Sequence, residues 1–184
     1  MAGREVVMTR KLFNSLGTTD TPQGVIAIGR AGLEEPADAR AAAEAGEWPL
    51  IVLDGVQDPG NVGAIARSAA AAGAPALLVL PGSADPFGPK AIRASAGHVF
   101  NLVVASGTWD DVSDLEPLGA ATGGEPLAAE ILSGPGAVVF GSETHGLSRE
   151  IRTVAIPMAA GVESLNVAAA AAILLFELRR LRTA

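Results

Sequence analysis

The chain contains no cysteine and no tyrosine, and its 184 residues include only two tryptophans, five phenylalanines and two histidines. Without cysteine there are no disulfides and no thiolate metal sites, and nothing points to an oxidising compartment. His98 and His145 are too few and too far apart in sequence to suggest a metal centre, so no metal is expected. No apolar run is long enough to span a bilayer, and the opening MAGREVVMTRK lacks the apolar stretch of a secretory signal. A cytoplasmic protein with no membrane partner is the expectation. Positive charge is also scarce: 13 Lys and Arg stand against 20 Asp and Glu, for a net charge of −7. That counts against a general nucleic-acid binder gripping phosphates over a broad basic face. An RNA function would have to use local basic residues or a basic element outside this chain, and no DNA partner is expected.

What is present is small and apolar. Hydrophobic residues make up 49% of the chain with 22 glycines, and aromatics only 4%. Such a core depends on close approach of small side chains, and the length suits one compact domain. A helix is expected over 6–16, closed by Gly17, and then a strand over 25–28. Residues 31–47 read as a polar, Ala-rich connector with a short helix around 37–45. From Trp48 short apolar runs alternate with helical segments: strands at 50–53, 76–80, 99–104, 119–122, 137–140 and 154–156. Helices are expected at 61–72, 89–96, near 109–115 and at 165–181. This alternation predicts an α/β fold with a mostly parallel sheet and helices on both faces.

In open parallel sheets ligands bind beyond the carboxyl ends of the strands, which directs attention to three loops. The first runs from Asp54 through Gly55, Pro59 and Gly60 to Asn61, with Arg67 six residues further on. Its glycines do not have dinucleotide-binding spacing and no P-loop lysine follows, which counts against a Rossmann-type dehydrogenase. Asn61 stands where it could simply cap the helix, and Arg67 could be a solvated helix charge. The second loop is Gly141-Ser142-Glu143-Thr144-His145-Gly146-Leu147, where a buried strand runs into a glycine that lets a ligand approach the backbone. His145 reads as a solvent-facing loop histidine. The third runs from Ile156-Pro157-Met158 to Ser164-Leu165-Asn166. Two capping-type residues flank Leu165, more than one helix start needs, so one of them is expected to bind something else.

Together these loops closely resemble the three signature motifs of the SpoU/TrmH family of RNA 2′-O-ribose methyltransferases, within the SPOUT superfamily. Asn61 and Arg67 match the first; Gly141, Glu143, Gly146 and Leu147 the second; Ile156–Met158 and Ser164–Val167 the third. The resemblance covers residues 48–182. It implies a C-terminal α/β trefoil knot, a homodimer, S-adenosylmethionine as methyl donor with S-adenosylhomocysteine as product, and structured RNA as substrate. Ribosomal RNA is favoured over transfer RNA, because Thr21-Pro22-Gln23-Gly24 looks like an element of the ribosomal type. It further implies Arg67, Asn61, Glu143, Ser164 and Asn166 as catalytic residues, and cofactor contacts at Gly141, Ile156, Met158 and Leu165. Lys90, Arg93 and Ser95, in a segment similar to the family's Lys/Arg-Ala-Ser-x-Gly stretch, join Arg67 as expected RNA contacts. Many members carry a separate N-terminal RNA-binding domain. Residues 1–30 are therefore expected to be its remnant or short substitute, 31–47 a connector and 48–184 the catalytic domain. A non-catalytic RNA-binding or antibiotic-resistance accessory protein of the same fold is the rival reading.

Overall fold

Residues 5–16 and 24–183 are described by the structure, a computed structural model. They fall into two units, Met1–Ala31 and Gly32–Ala184. In the first unit the expected helix forms as α1 (Arg10–Leu16), shorter at its start than the apolar pattern implies. The strand expected over 25–28 does not form: this stretch is irregular, with Val25 and Ile28 each more than four-fifths exposed. An apolar run without a neighbouring strand has no ladder to join, so β-propensity alone does not make it a strand. Gly17 and residues 18–23, including most of the Thr-Pro-Gln-Gly element, lie outside the described residues.

The second unit is built on a sheet of six parallel strands. They are β1 (Leu50–Asp54), β2 (Ala76–Val79), β3 (Val103–Ser106), β4 (Leu118–Pro126), β5 (Ala137–Gly141) and β6 (Arg152–Ala155), in the order β3-β2-β1-β5-β4-β6. Strand β1 is buried throughout, and its side chains alternate between two cores. Ile51 and Leu53 pack with α3 (Pro59–Ala72), α4 (Pro89–Ala94) and α6 (Val167–Arg182), while Leu50 and Val52 pack with α2 (Pro36–Ala45). Period-two alternation on a doubly covered strand is why β1 reads as one continuous apolar run. Helix α2, within the stretch read as a connector, is a layer of this unit. A one-turn helix, α5 (Ala129–Leu132), was not expected and follows β4.

Among the boundaries that differ from those expected, two lie around α4 and β3. The strand expected over 99–104 divides into a 3₁₀ turn, His98–Asn101, and β3. The helix expected at 89–96 ends at Ala94, because Ser95 turns its hydroxyl onto the Ile92 carbonyl and Ala96 and Gly97 adopt positive φ. Helices α3 and α4 cross so closely that a Cβ on Gly63 would meet the Ala91 carbonyl oxygen at 2.2 Å. The abundant small residues thus serve helix contact as the composition implied. Where the chain switches from building one side of the sheet to the other, β1 and β5 lie side by side with Asp54 in register with Gly141. That switch point fixes where a site can form.

Candidate active site

The loop after β1 turns at Gly55, which has φ +72°, and enters α3 through Asp58 and Pro59. Asp58 is the helix cap, its carboxylate accepting the Gly60 N–H. The helix therefore starts two residues earlier than expected, and Asn61 is not its cap. Pro59 explains the shift, since its fixed φ and missing N–H suit the first helical position. Asn61 lies in the first turn, with its side-chain amide released for tertiary contact.

That amide joins all three loops. Asn61 Nδ2 donates to Glu143 Oε1, and Asn61 Oδ1 accepts from Asn166 Nδ2 at 3.1 Å. Asn166 is also the N-cap of α6, its Oδ1 accepting from Ala168 N at 2.9 Å and Ala169 N at 3.3 Å. The direction of the chain is chemically forced: the Glu143 carboxylate only accepts, so Asn61 must turn its amino group there and its carbonyl towards Asn166. Asn166 must in turn aim its carbonyl at the helix N–H groups. Of the two capping-type residues flanking Leu165, Asn166 is the cap. Ser164 is the surplus one, exposed on the wall of a cavity.

This cavity, of about 510 Å³, opens between the ends of β4, β5 and β6 and the start of α6. Gly141, Ile156, Met158 and Leu165, the four expected cofactor contacts, all line it, as do Glu143, Ser164 and Asn166. Sequence reasoning missed the wall formed by Ala120, Ala121 and Thr122. Ala120 and Glu125 both align with Val154 of β6, so residues 121–124 bulge out of the β4 ladder and shape this wall. The adjacent glycines Gly123 and Gly124 are the signal that could have shown it. Gly123 has φ +106°, and a Cβ on Gly124 would lie 2.6 Å from the Thr153 backbone.

Gly141 has a different immediate role from the one expected. The backbone that approaches it is the chain's own: a Cβ there would lie 2.5 Å from Gly146 C. Ser142 and Gly146 exchange two backbone hydrogen bonds of 2.9 Å, closing the loop back over the strand end. His145 is exposed at its tip, as expected.

The basic residues divide. Arg67 is exposed, outside the cavity wall, and has no hydrogen bond or ion pair among the described residues. Arg93 is likewise exposed. Lys90 is tied to Asp58, its Nζ 2.9 Å from Oδ1, and together with the Gly60 N–H it holds the Asp58 carboxyl below the usual carboxylate range. Ser95 is fully buried with its hydroxyl on Ile92 O, where it closes α4. No cluster of His, Asp and Glu that could hold a metal ion occurs among the described residues.

A parallel sheet with a cavity at the ends of β4, β5 and β6, beside the switch point, and with polar side chains of three strand-end loops joined at its rim, has the build of a ligand-binding α/β domain. Comparison with known proteins identifies it further. Residues 49–176 match the model of the SpoU rRNA Methylase family, and the chain belongs to that family. It is 39% identical over 163 residues to an uncharacterized tRNA/rRNA methyltransferase of Mycobacterium sp. (strain KMS), an alignment covering 80% of this chain and 52% of that protein. The chain thus spans about half the length of the curated relatives it matches. Among solved structures, the AdoMet-bound rRNA methyltransferase from Sinorhizobium meliloti superposes with a TM-score of 0.80 at 30% identity, covering 94% of this chain and 70% of that one. The SpoU methyltransferase AviRb from Streptomyces viridochromogenes, in complex with AdoMet, gives 0.65 at 34% identity, covering 73% and 60% respectively. A structure described as an RNA 2′-O ribose methyltransferase gives 0.66 at 29% identity, covering 96% and 71%.

Proposed function

We propose that this chain methylates a ribose 2′-hydroxyl of structured RNA, ribosomal RNA in the first instance, with S-adenosylmethionine as donor. The observation that carries the reading is the Glu143–Asn61–Asn166 chain. It fastens the three family motifs to one another at the rim of a single cavity.

The cavity suits the cofactor. Its volume falls within the usual range for small-molecule sites, and small apolar side chains wall one side while loop backbone and polar groups line the other. Gly141, Ile156, Met158 and Leu165 would hold the adenosine part. When bound, the cofactor supplies a sulfonium methyl group for in-line displacement. The protein's task is then to bring the 2′-oxygen into line and favour its alkoxide-like form. We assign that task to Arg67, whose guanidinium stays protonated, pairs with the neighbouring RNA phosphate and stabilises charge developing on the oxygen. The hydroxyl proton is released to solvent water. Asn61 orients the ribose, Glu143 fixes Asn61, and Ser164 and Asn166 position substrate beside the cofactor. Arg93 and Lys90 contribute phosphate contacts, Lys90 after release from Asp58.

Arg67 lies outside the cavity wall, which supports a site completed by a second copy of the chain. An apolar stripe on α6 supports the same homodimer: Ala169, Ile173 and Phe176 are exposed at helical spacing. The trefoil knot of SPOUT proteins completes this reading. Transfer RNA is the second candidate substrate, favoured by the similarity (TM-score 0.64, 27% identity) to a structure concerned with 2-OH methylation of C/U34 on tRNA.

The test is transfer of labelled methyl groups to ribosomal and transfer RNA transcripts, with the product mapped for 2′-O position. Transfer to a ribose is expected with the wild-type chain. Arg67→Ala should abolish transfer and leave cofactor binding intact; simultaneous loss of binding would overturn the role given to Arg67.

A further inference from the structure

Four of the five residues of β1 are aliphatic, and the fifth is Asp54, a carboxylate only 4% exposed and without a cationic partner among the described residues. A buried charge is costly unless something specific satisfies it. Here a single residue does so. Ser148 donates its N–H to Asp54 Oδ2 at 2.6 Å and its hydroxyl to Oδ1 at 2.8 Å, and Ser148 Oγ accepts the Trp109 indole N–H at 2.7 Å.

Ser148 ends the loop that begins at Gly141. The loop is folded back by the Ser142–Gly146 bonds, and its front is fastened by Glu143 to Asn61. Its far end is seated where Leu147 packs over Gly119 and Ser148 meets Asp54. One side of the loop walls the 510 Å³ cavity. Its other side, through Ser142, His145 and Gly146, faces a second cavity of about 460 Å³ that Asp54 and Trp109 also line. Between its packed ends the loop therefore has open space on both sides, and there its position is set by its fastenings.

We propose that Asp54 is a positioning residue for the cofactor wall, acting through Ser148 as a latch that Trp109 completes. Hydrogen bonds to a charged acceptor are about twice as strong as neutral ones, so a carboxylate at this strand end holds the loop as an amide or hydroxyl would not. Asp54 touches no substrate; it determines where Gly141–Leu147 stand. The proposal rests on the methyltransferase reading for the identity of the ligand, not for the latch itself.

The test uses the full chain with Ser148→Ala and Asp54→Asn. Two quantities are read: hydrogen exchange of amides 142–148, and the dissociation constants of S-adenosylmethionine and S-adenosylhomocysteine by calorimetry. Ser148→Ala removes the hydroxyl from both partners but keeps the backbone N–H. It should speed exchange in the loop about tenfold, leave β1 and α3 protected, and weaken both ligands about tenfold. In turnover the KM for the methyl donor should rise while kcat changes little. Asp54→Asn should lie between the two, because an amide can accept the Ser148 N–H and donate to Ser148 Oγ. Wild-type exchange in Ser148→Ala would overturn the latch. Faster exchange with unchanged ligand binding would overturn the positioning role. If the unaltered chain binds neither ligand, the methyltransferase reading fails, and loop exchange still decides the latch.

Discussion

Gly141 is where fold and site constrain each other most directly, and Gly141→Ala tests that coupling. The added Cβ would lie 2.5 Å from Gly146 C, 2.6 Å from Gly146 O and 2.8 Å from Leu147 N, all backbone atoms. Ordinary contact begins near 3.4 Å, so something must move by about 1 Å. The strand cannot, because Gly141 is paired in the ladder with Asp54 between buried neighbours. The loop must give way, and a displacement of that size carries its two 2.9 Å Ser142–Gly146 bonds beyond the hydrogen-bonding limit of about 3.5 Å. Losing two backbone bonds at about 0.5–1.5 kcal/mol each, with overpacking of about 1–3 kcal/mol, gives a loss of about 2–6 kcal/mol. For a chain of this size that lowers Tm by about 4–24 °C. Gly146→Ala is the matched control: its φ is +69° but nothing lies within 4 Å of the added Cβ, so only the left-handed penalty of about 1–2 kcal/mol applies. Thermal unfolding by circular dichroism and calorimetric titration of S-adenosylmethionine check both. Gly141→Ala should melt well below Gly146→Ala and bind the ligand at least about tenfold more weakly than the unaltered chain. Equal melting of the two variants, or undiminished binding by Gly141→Ala, would refute the reasoning.

The remaining predictions concern the polar chain and the α3 cap. Asn61→Asp should impair methyl transfer more than Asn61→Ala, because it sets a second carboxylate against Glu143, whereas alanine only removes a link; kcat/KM on one RNA transcript ranks them. Asn166→Ala removes two N-cap bonds from α6 and should cost about 1 kcal/mol in denaturant unfolding, and it frees Asn61 Oδ1. Lys90→Ala should raise the Asp58 pKa towards the ordinary carboxylate value, as a carboxyl-detected NMR titration would show. The sign follows from the lowered folded-state pKa. The cap's contribution is present above the unfolded carboxylate range and is lost as pH falls through the lower folded value, so in Lys90→Ala the α3 terminus should fray at higher pH.

How far the sequence disclosed all this depended on whether a feature was local. The strands β1, β2 and β5 were legible because burial on both faces leaves an uninterrupted apolar run, and the helices α2 and α3 because their segments are rich in alanine, a strong helix former. The 25–28 run misled for the opposite reason: its residues have strand character, but pairing is a tertiary fact, and no strand pairs with it among the described residues. The β4 bulge was hidden because a glycine pair reads as the end of a strand, when here it keeps the strand going after four residues leave the ladder.

The site divides along the same line. Its residue list was accessible as motif resemblance, yet the contacts that join those residues span sequence separations of 82 and 105 residues. Asn61 looked like a cap because spacing shows the residue type but not that Asp58 and Pro59 have already started the helix. Ser95 looked like an RNA contact because its motif is basic, though the helix end turns it inward. Asp54 drew no attention as a loop residue, and only its burial in a ladder opposite Gly141 makes its charge an anomaly that needs a partner. The two motif asparagines show how one residue type divides its work: Asn166 spends its carbonyl on α6 and has only its amino group for the site, so Asn61 must accept from it. The acceptor left for the Asn61 amino group is Glu143, and the order of the three follows from hydrogen-bond polarity once the sheet has brought their loops together.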